Sequence, residues 1–160
     1  MEGPRQPPAR GLPKRGIPLP HDWATVDTVS KKRRSEIMSL VRGRDTRPEM
    51  DVRRMVHAMG HSYRLHRRDI PGIPDLAFIG RRKVIFVHGC FWHRHTGCSS
   101  TRMPKSNVVF WREKLQANRR RDRTNQRRLA AMGWRFLVIW ECELRNATAV
   151  RSRIAAFLGR

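Results

Sequence analysis

The stretch KVIFVH at residues 83–88 carries the clearest structural signal in the sequence. Its apolar run at residues 84–87 does not alternate with polar residues, which predicts a central strand covered on both faces. A second apolar run, at residues 136–140, predicts another buried strand, and a long basic helix from Asn107 to Met132 lies between the two. Strand, long helix and strand in this order predict a parallel pair joined by a right-handed crossover.

The segments around these strands predict further helices and a hairpin. Upstream, Thr46 followed three residues later by Glu49 has the pattern of a helix capping box, and Gly60 ends that helix. Downstream, Thr148 is the expected N-cap of a last amphipathic helix. The other predicted elements are a helix at residues 30–43, strands at residues 62–65 and 75–79, and a hairpin connection at residues 80–82. Together they predict an α/β fold with a central mixed sheet flanked by helices.

Length and charge bound the class of protein. The chain has 160 residues, with 35 Lys and Arg against 13 Asp and Glu, a net charge of +22. We expect a Pro/Gly-rich flexible leader at residues 1–25 and a single domain at residues 26–160. The leader holds four basic and two acidic residues, so the domain carries most of the charge and favours nucleic acid as its partner. No apolar run approaches the about 20 residues of a membrane span and no signal-peptide pattern is present, which predicts a cytoplasmic location without membrane contact.

Three cysteines and a histidine form a candidate metal site. The odd number of cysteines, in a compartment expected to be reducing, argues against a disulfide framework. Cys90, His95 and Cys98 have the spacing C-x4-H-x2-C, and Cys142 follows the second predicted strand. Thiolates and an imidazole are the ligands of tetrahedral zinc. Because the spacing is not that of a standard zinc finger, buried cysteines beside a solvated histidine remain an equal alternative.

Acidic and histidine side chains near the predicted strands are candidates for hydrolytic chemistry. Asp75 could hold Mg²⁺ in this basic chain, although turn chemistry is the more common reason for an aspartate after a proline such as Pro74. The capping box already accounts for Glu49. His88 and His93 could accept a proton at neutral pH, although single histidines are more often structural. Asp75 opens one predicted strand and His88 closes its neighbour, which favours a shared site.

Aromatic and basic residues predict contacts with DNA. Phe91 and Trp92 lie in a predicted loop with few apolar neighbours, where they could enter the base stack as a wedge, whereas Phe110 is expected in the core. Residues 112–128 contain eight Lys and Arg and two acids, which predicts a helix that contacts phosphates. The arginines singled out in this helix are Arg119, Arg120, Arg121 and Arg123. Asp122 is expected to pair with a neighbouring arginine or, alternatively, to orient an active-site histidine.

Five sequence blocks together resemble the very-short-patch mismatch repair endonuclease family. They are RDTRPE (44–49), IPGIPD (70–75), VIFVHGCFWHRH (84–95), FWREK (110–114) and GWRFLVIWECELR (133–145), and the likeness spans about residues 27–145. The resemblance implies a zinc-containing, Mg²⁺-dependent nickase with a restriction-endonuclease-like core. Such an enzyme cuts 5′ to the thymine of a T:G mismatch left by deamination of 5-methylcytosine.

The resemblance also implies roles for individual residues. Asp75 would ligate Mg²⁺ together with the backbone carbonyl of Val87, which stands where the family has threonine. His93 would act as general base or proton shuttle beside the scissile phosphate, Glu49 would orient water or the metal ion, and His88 would assist. The implied zinc ligands are Cys90, His95, Cys98 and Cys142. The implied DNA wedge consists of Phe91, Trp92 and Trp111, with Met38 inserting from the opposite groove.

The expected partner is therefore double-stranded DNA with a T:G mismatch, bound by a monomer associated with the nucleoid. Mismatch-repair proteins are further candidate partners. The alternative function is a non-catalytic, zinc-stapled DNA-binding protein. That alternative accounts for the charge and the Cys/His set, but it leaves Asp75, Glu49 and His93 without a shared purpose.

Overall fold

A computed structural model describes residues 43–159 of the chain. Its helices and strands, in chain order, are α1 (Arg47–Ala58), β1 (Leu76–Phe78), β2 (Lys83–His88), α2 (Cys90–His93), α3 (Val108–Ala131), β3 (Arg135–Trp140) and α4 (Ala147–Leu158). Short 3-10 helices lie at Ile79–Arg81, Ser99–Thr101 and Glu141–Arg145. The predicted leader, nearly all of the predicted helix at residues 30–43, and Met38 lie outside the described residues. No described helix has the length and apolar character needed to cross a bilayer.

The three strands form a mixed sheet in the order β1-β2-β3. The strand β1 pairs antiparallel with β2, and β3 pairs parallel with β2 so that Val84 faces Phe136 and His88 faces Trp140. The long helix α3 connects the parallel pair. The predicted central position of β2, the hairpin before it and the mixed sheet flanked by helices are therefore confirmed.

Two apolar clusters cover the two faces of this sheet. Ile85 packs with residues of α1 and α4, among them Val56. The adjacent residues Val84 and Phe86 pack on the opposite face with Leu129 of α3. Because both faces of β2 are covered, its side chains can be apolar at consecutive positions. Each large aliphatic side chain buried in this way contributes about 1.5–3 kcal/mol of transfer free energy.

The start of α1 follows the predicted capping pattern. The hydroxyl Oγ1 of Thr46 accepts a hydrogen bond from the amide of Glu49 at 3.5 Å and donates one to Glu49 Oε1 at 2.8 Å. Gly60, with φ +78°, follows the helix and supplies the left-handed conformation that ends it. The cap matters for function because it fixes one of the acidic candidates, Glu49, at the helix N-terminus.

Two predicted strands differ from the structure. Residues 136–140 were expected to be fully buried, but Ile139 is the one fully buried residue of β3, because β3 is an edge strand of the described sheet. Residues 62–65 contribute a single bridge, between Arg64 and Ala77, rather than a strand. Tyr63 packs against the core, but the other three residues of this segment are exposed, so too little of it is buried to extend that bridge into a ladder.

Two predicted helix starts and one predicted loop also differ. The N-cap of α4 is Asn146, whose Oδ1 accepts a hydrogen bond from Ala149 at 3.1 Å, and not Thr148. Asn107 does precede α3, but with φ +50° and without a side-chain capping bond. The predicted loop at residues 89–106 contains the helix α2, whose four residues begin directly after Gly89.

Candidate active site

The candidate site lies at the edge of the sheet where the parallel strands β2 and β3 end. His88, the last residue of β2, is in register with Trp140, the last residue of β3. The helix α2 starts two residues after β2, and Cys142 lies two residues after β3. Parallel strands end at the same edge of a sheet, so side chains distant in sequence meet here.

Asp75 lies one residue before β1 and contacts the end of β2. Its Oδ2 accepts a hydrogen bond from the backbone amide of Val87 at 2.7 Å. Burial raises the pKa of the Asp75 carboxyl to about 6, while the Val87 amide opposes this and the charge of Glu49 adds to it. A buried carboxylate with a raised pKa gains from a nearby cation. The two residues predicted to hold Mg²⁺ are thus in direct contact.

Glu49 is buried, and both of its oxygens have partners. Oε1 accepts from the Thr46 hydroxyl, and Oε2 accepts from the amide of Asp45 at 2.9 Å and from Nη2 of Arg53 at 3.1 Å. The Arg53 guanidinium is itself buried and also pairs with Asp45. Glu49 therefore acts on Asp75 through its charge. No local signal indicated the part played by Arg53, because an arginine on a helix is expected to face solvent.

His88, His93 and Asp122 come together from β2, α2 and α3. The two imidazole rings are stacked with centroids 3.8 Å apart and planes 11° apart. The Nδ1 atom of His93 lies 2.6 Å from Oδ2 of Asp122. Burial lowers the pKa of His88 to about 4, and the neighbouring His93 adds to this effect. His88 is therefore neutral at physiological pH.

We expected Asp122 to pair with a neighbouring arginine, and this prediction is wrong. Its carboxylate contacts His93 instead, which was the alternative. Burial by itself raises the pKa of Asp122, but the hydrogen bond and charge of His93 outweigh it, so the pKa is lowered overall. The partner changes because Asp122 lies on the α3 face that packs on α2, whereas the arginines next to it in sequence are exposed.

Cys90, His95, Cys98 and Cys142 form a compact second group. One ligand atom from each lies within 4.8 Å of the other three. His95 Nδ1 is 3.7 Å from the sulfur of Cys90 and 3.2 Å from that of Cys142. A tetrahedral zinc with bonds of about 2.0–2.3 Å places its ligand atoms about 3.5 Å apart, so these side chains fit that ion. The ring of His95 is stacked on Trp140 at 4.2 Å, which fixes its orientation.

The predicted wedge residues form an aromatic cluster of Phe91, Trp92 and Trp111. The ring centroids are 5.2 Å apart for Phe91 and Trp92, 5.5 Å for Phe91 and Trp111, and 6.0 Å for Trp92 and Trp111. Trp111 is 5% exposed, while the two residues of α2 are half-buried. Trp111 is thus the base of the cluster, on which the two more accessible rings rest. Asn118 of α3 secures α2 by donating a hydrogen bond to the carbonyl of Trp92 at 3.1 Å.

Phe110 was expected in the core, and this prediction is wrong. Its side chain is 54% exposed and packs edge-on against Trp111 at 5.4 Å. Its neighbours Val109 and Lys114 are exposed as well, whereas Trp111 takes the buried position of this helical turn. The ammonium of Lys114 lies 5.5 Å from the Phe110 ring and 5.8 Å from the Trp92 ring.

The four arginines singled out in α3 are all exposed. Arg119 and Arg123 line a cavity of about 380 Å³ together with His88, His93 and Asp122. Arg120 lies in a separate groove beside Phe110 and Lys114, and Arg121 donates a hydrogen bond to Asn118 at 2.9 Å. The histidines and Asp122 thus lie in a cavity with cationic side chains at its edge, where a phosphate group would be attracted.

Comparison with known proteins gives consistent matches. The sequence model of the family described as DNA mismatch endonuclease Vsr matches residues 26–99. The type II nicking enzyme V.XorIIP of Xanthomonas oryzae pv. oryzae is 48% identical over 132 residues, which are 82% of this chain and 96% of the relative. DNA mismatch endonuclease Vsr of Escherichia coli K12 is 40% identical over 120 residues, 75% of this chain and 76% of the relative. Among solved structures, the catalytic domain of homing endonuclease I-Bth0305I has a TM-score of 0.48 at 23% identity, covering 71% of this chain and 94% of that domain.

Proposed function

The chain belongs to the Vsr family of DNA mismatch endonucleases, and we propose that it is a Mg²⁺-dependent nickase acting 5′ to the thymine of a T:G mismatch. Such mismatches arise when 5-methylcytosine deaminates. The proposal includes a restriction-endonuclease-like core for the sheet and its flanking helices. Family membership favours this enzyme over a non-catalytic DNA-binding protein.

One observation carries the proposal: Asp75 and His93 are connected through consecutive residues of β2. The Asp75 carboxylate is bonded to the amide of Val87, and the next residue, His88, stacks on His93. His93 is in turn bonded to Asp122. Metal-assisted phosphodiester hydrolysis needs a carboxylate that can bind a cation and an oriented imidazole close to it.

Asp75 would hold Mg²⁺ with the carbonyl of Val87, while Glu49 adds negative charge nearby. Carboxylate and carbonyl oxygens are the protein ligands that Mg²⁺ prefers, with waters and a DNA phosphate as its remaining ligands. When bound, Mg²⁺ supplies Lewis-acid stabilisation of the charge on the phosphate. Glu49 is itself paired with Arg53, and the two charges act on Asp75 in opposite directions: Glu49 raises its pKa and Arg53 lowers it.

His93 would accept the proton of the attacking water. With Asp122 bonded to Nδ1, the proton of the neutral ring lies on Nδ1 and the lone pair on Nε2. Asp122 then stabilises the imidazolium that forms when Nε2 takes up a proton. The neutral ring of His88, stacked against His93, limits the directions in which His93 can turn.

Cys90, His95, Cys98 and Cys142 would hold a structural zinc. Four protein ligands leave no open position, as in structural rather than catalytic zinc sites. The ion would join α2, which carries Phe91, Trp92 and His93, to the end of β3. The zinc would thus hold the wedge and the proposed base in a fixed relation.

DNA would enter with its mismatch at the aromatic cluster and its phosphates along α3. A mismatched step is easier to unstack than a matched one, so insertion of Phe91 and Trp92 favours T:G before any base edge is contacted. The cluster and the cavity adjoin because Trp92 and His93 are consecutive residues of α2. The scissile phosphate would therefore lie close to the mismatch, on one strand.

The test of the proposed function is a panel of strand-labelled duplexes with a T:G mismatch or a matched pair in several sequence contexts. We expect a nick 5′ to the mismatched thymine, on that strand alone, and no nick without Mg²⁺. Equal cutting of matched and mismatched duplexes would overturn the mismatch specificity, and cutting in the presence of a chelator would overturn the Mg²⁺ dependence.

The Asp122→Asn variant tests the role of the carboxylate that contacts His93. We expect kcat to fall about 10²-fold or more, because an oriented general base contributes about 10²–10⁴-fold and an amide can favour the wrong tautomer of His93. KM and the affinity for T:G DNA are expected to change little. Steady-state kinetics on the labelled duplex measure both constants.

The matched control for this variant is Glu113→Gln, which removes an exposed acid from the same helix. It is expected to keep the wild-type kcat. A normal kcat in Asp122→Asn, or an equal loss in the control, contradicts a specific role for Asp122.

The Trp92→Ala variant tests the wedge. Stacking of one base on an aromatic ring is worth about 1–3 kcal/mol, so the preference for T:G over matched DNA is expected to fall about tenfold. Competition binding with the two duplexes measures the ratio. An equal loss of affinity for both duplexes would mean that Trp92 supports the fold without sensing the mismatch, and thermal unfolding of the variant checks the fold separately.

A further inference from the structure

His88, His93 and Asp122 form a second group of metal-ligating side chains, distinct from the four predicted zinc ligands. One ligand atom of each lies within 4.8 Å of the other two. Zinc bonds of about 2.0–2.2 Å place the ligand atoms about 3.5 Å apart, so Nδ1 of His93 and Oδ2 of Asp122, now 2.6 Å apart, would separate by about 1 Å to admit an ion. Side-chain rotation at His93 and Asp122, which are only partly buried, can supply such a shift.

The ligand types in this group select the class of ion. Imidazole nitrogen suits zinc and its neighbours among the transition metals, whereas Mg²⁺ prefers oxygen ligands and keeps several waters. Two imidazoles and one carboxylate also leave one position of a tetrahedral ion open. All three side chains line a cavity of about 380 Å³, through which an ion can enter.

The surroundings of the group are those of a formed site. The ring of His88 is packed between Phe86, at 5.9 Å, and Trp140, at 5.3 Å. Trp140 also stacks on His95 of the four-ligand group. One indole therefore contacts a histidine of each group, and the two groups are neighbours that share no ligand.

We propose that His88, His93 and Asp122 bind a zinc-class divalent ion and that its binding inhibits nicking. An ion between Nδ1 of His93 and Oδ2 of Asp122 would replace the hydrogen bond that joins them. The ring proton of His93 would then lie on Nε2, so that Nε2 could no longer accept a proton. The inhibition rests on the proposed function, in which that imidazole accepts a proton. The binding of the ion does not rest on it.

Metal counting tests the site without an activity assay. The full chain, loaded with one zinc equivalent, is dialysed against Co²⁺ in the presence of excess Mg²⁺. We expect one Co²⁺ per chain without the near-ultraviolet sulfur-to-cobalt absorption that thiolate ligands produce. A chain that holds one zinc and binds no cobalt, or from which Mg²⁺ displaces the cobalt, would overturn the proposal.

Two variants and a control locate the ion. His93→Gln and Asp122→Asn are each expected to lose the cobalt equivalent and to keep the zinc equivalent, which reports that the fold is intact. His57→Gln, at an exposed histidine of α1, is expected to keep both. Retention of cobalt by both site variants would place the ion elsewhere and overturn the assignment.

Nicking of a labelled T:G duplex in Mg²⁺ tests the inhibition. We expect the rate to fall in proportion to occupancy of the second site and to return when that ion is removed. Nicking that is unchanged at full occupancy overturns the inhibition but leaves the proposed function intact. If the chain with one zinc does not nick at all, the proposed function fails, and the metal count still decides whether this site exists.

Discussion

Replacement of Asp75 by asparagine is expected to reduce Mg²⁺-dependent nicking of a T:G duplex by about 10³-fold or more. Lewis-acid stabilisation at a phosphate is worth several kcal/mol, and each 1.4 kcal/mol or so corresponds to a tenfold change in rate. Asparagine keeps an oxygen that can accept the hydrogen bond from the Val87 amide, so the junction between β1 and β2 is retained. The variant therefore removes charge with little change of shape.

Binding of the mismatched duplex is expected to survive in Asp75→Asn, because the aromatic cluster and the arginines of α3 are untouched. Asp69→Asn is the matched control, since Asp69 is exposed and pairs with Arg67. Single-turnover nicking and equilibrium binding on the same labelled duplex separate the two effects. Full nicking activity in Asp75→Asn would remove Asp75 from the mechanism.

Removal of the proposed zinc is expected to lower the stability of the protein by about 4 kcal/mol or more. A ligand present at about a thousand times its dissociation constant stabilises the folded state by that amount. In a chain of this size the midpoint of thermal unfolding is expected to fall by about 10 °C. Burial raises the pKa of the Cys90 thiol to about 12, so without a metal this buried sulfur stays protonated and the four side chains lose their common partner.

Zinc content and thermal unfolding, measured before and after treatment with a strong chelator, check this expectation. Cys142→Ser should match the chelated protein, because Cys142 alone joins the end of β3 to the other three ligands. Thr96→Ala, an exposed change in the same segment as His95, should match the untreated protein. A purified protein without zinc, or one whose unfolding a chelator does not shift, contradicts the structural zinc.

The main elements of the fold follow from local signals in the sequence. The capping pair at Thr46 and Glu49 marks the start of α1, and the non-alternating run of β2 shows that both of its faces are covered. Such signals depend on residues close together in the chain and on whether a strand face is exposed to solvent or covered by other elements. They therefore predict which elements form and which strand is central.

Exposure at the ends and edges of elements could not be predicted in the same way. The apolar residues of β3 resemble those of β2, yet β3 is an edge strand with one fully buried residue. Phe110 is a large aromatic residue of the kind that usually packs in a core, but in the first turn of α3 the buried position belongs to the next residue, Trp111. Exposure of this kind depends on how long neighbouring elements are, which a local apolar pattern does not contain.

Long-range partners in the candidate site were the least predictable part. The candidate ligands and wedge residues were identified from their types and from the family resemblance. The contact of His93 with Asp122 depends on the packing of α2 on α3, and the burial of Arg53 against Glu49 depends on the position of α1 over the sheet. In both cases an acid or a base on a basic helix has many possible partners, and tertiary packing selects one.

The central claim is that Asp75 holds a divalent ion against the phosphate that is cut. The most direct measurement replaces each nonbridging oxygen of that phosphate with sulfur in turn and compares nicking in Mg²⁺ and in Mn²⁺. Sulfur is a poor ligand for the hard Mg²⁺ ion and a better one for Mn²⁺. We predict that one of the two diastereomers is cut slowly in Mg²⁺ and recovers in Mn²⁺ with the wild-type protein, but not with Asp75→Asn. Equal nicking of both diastereomers in both metals, or recovery in Asp75→Asn, would contradict the account.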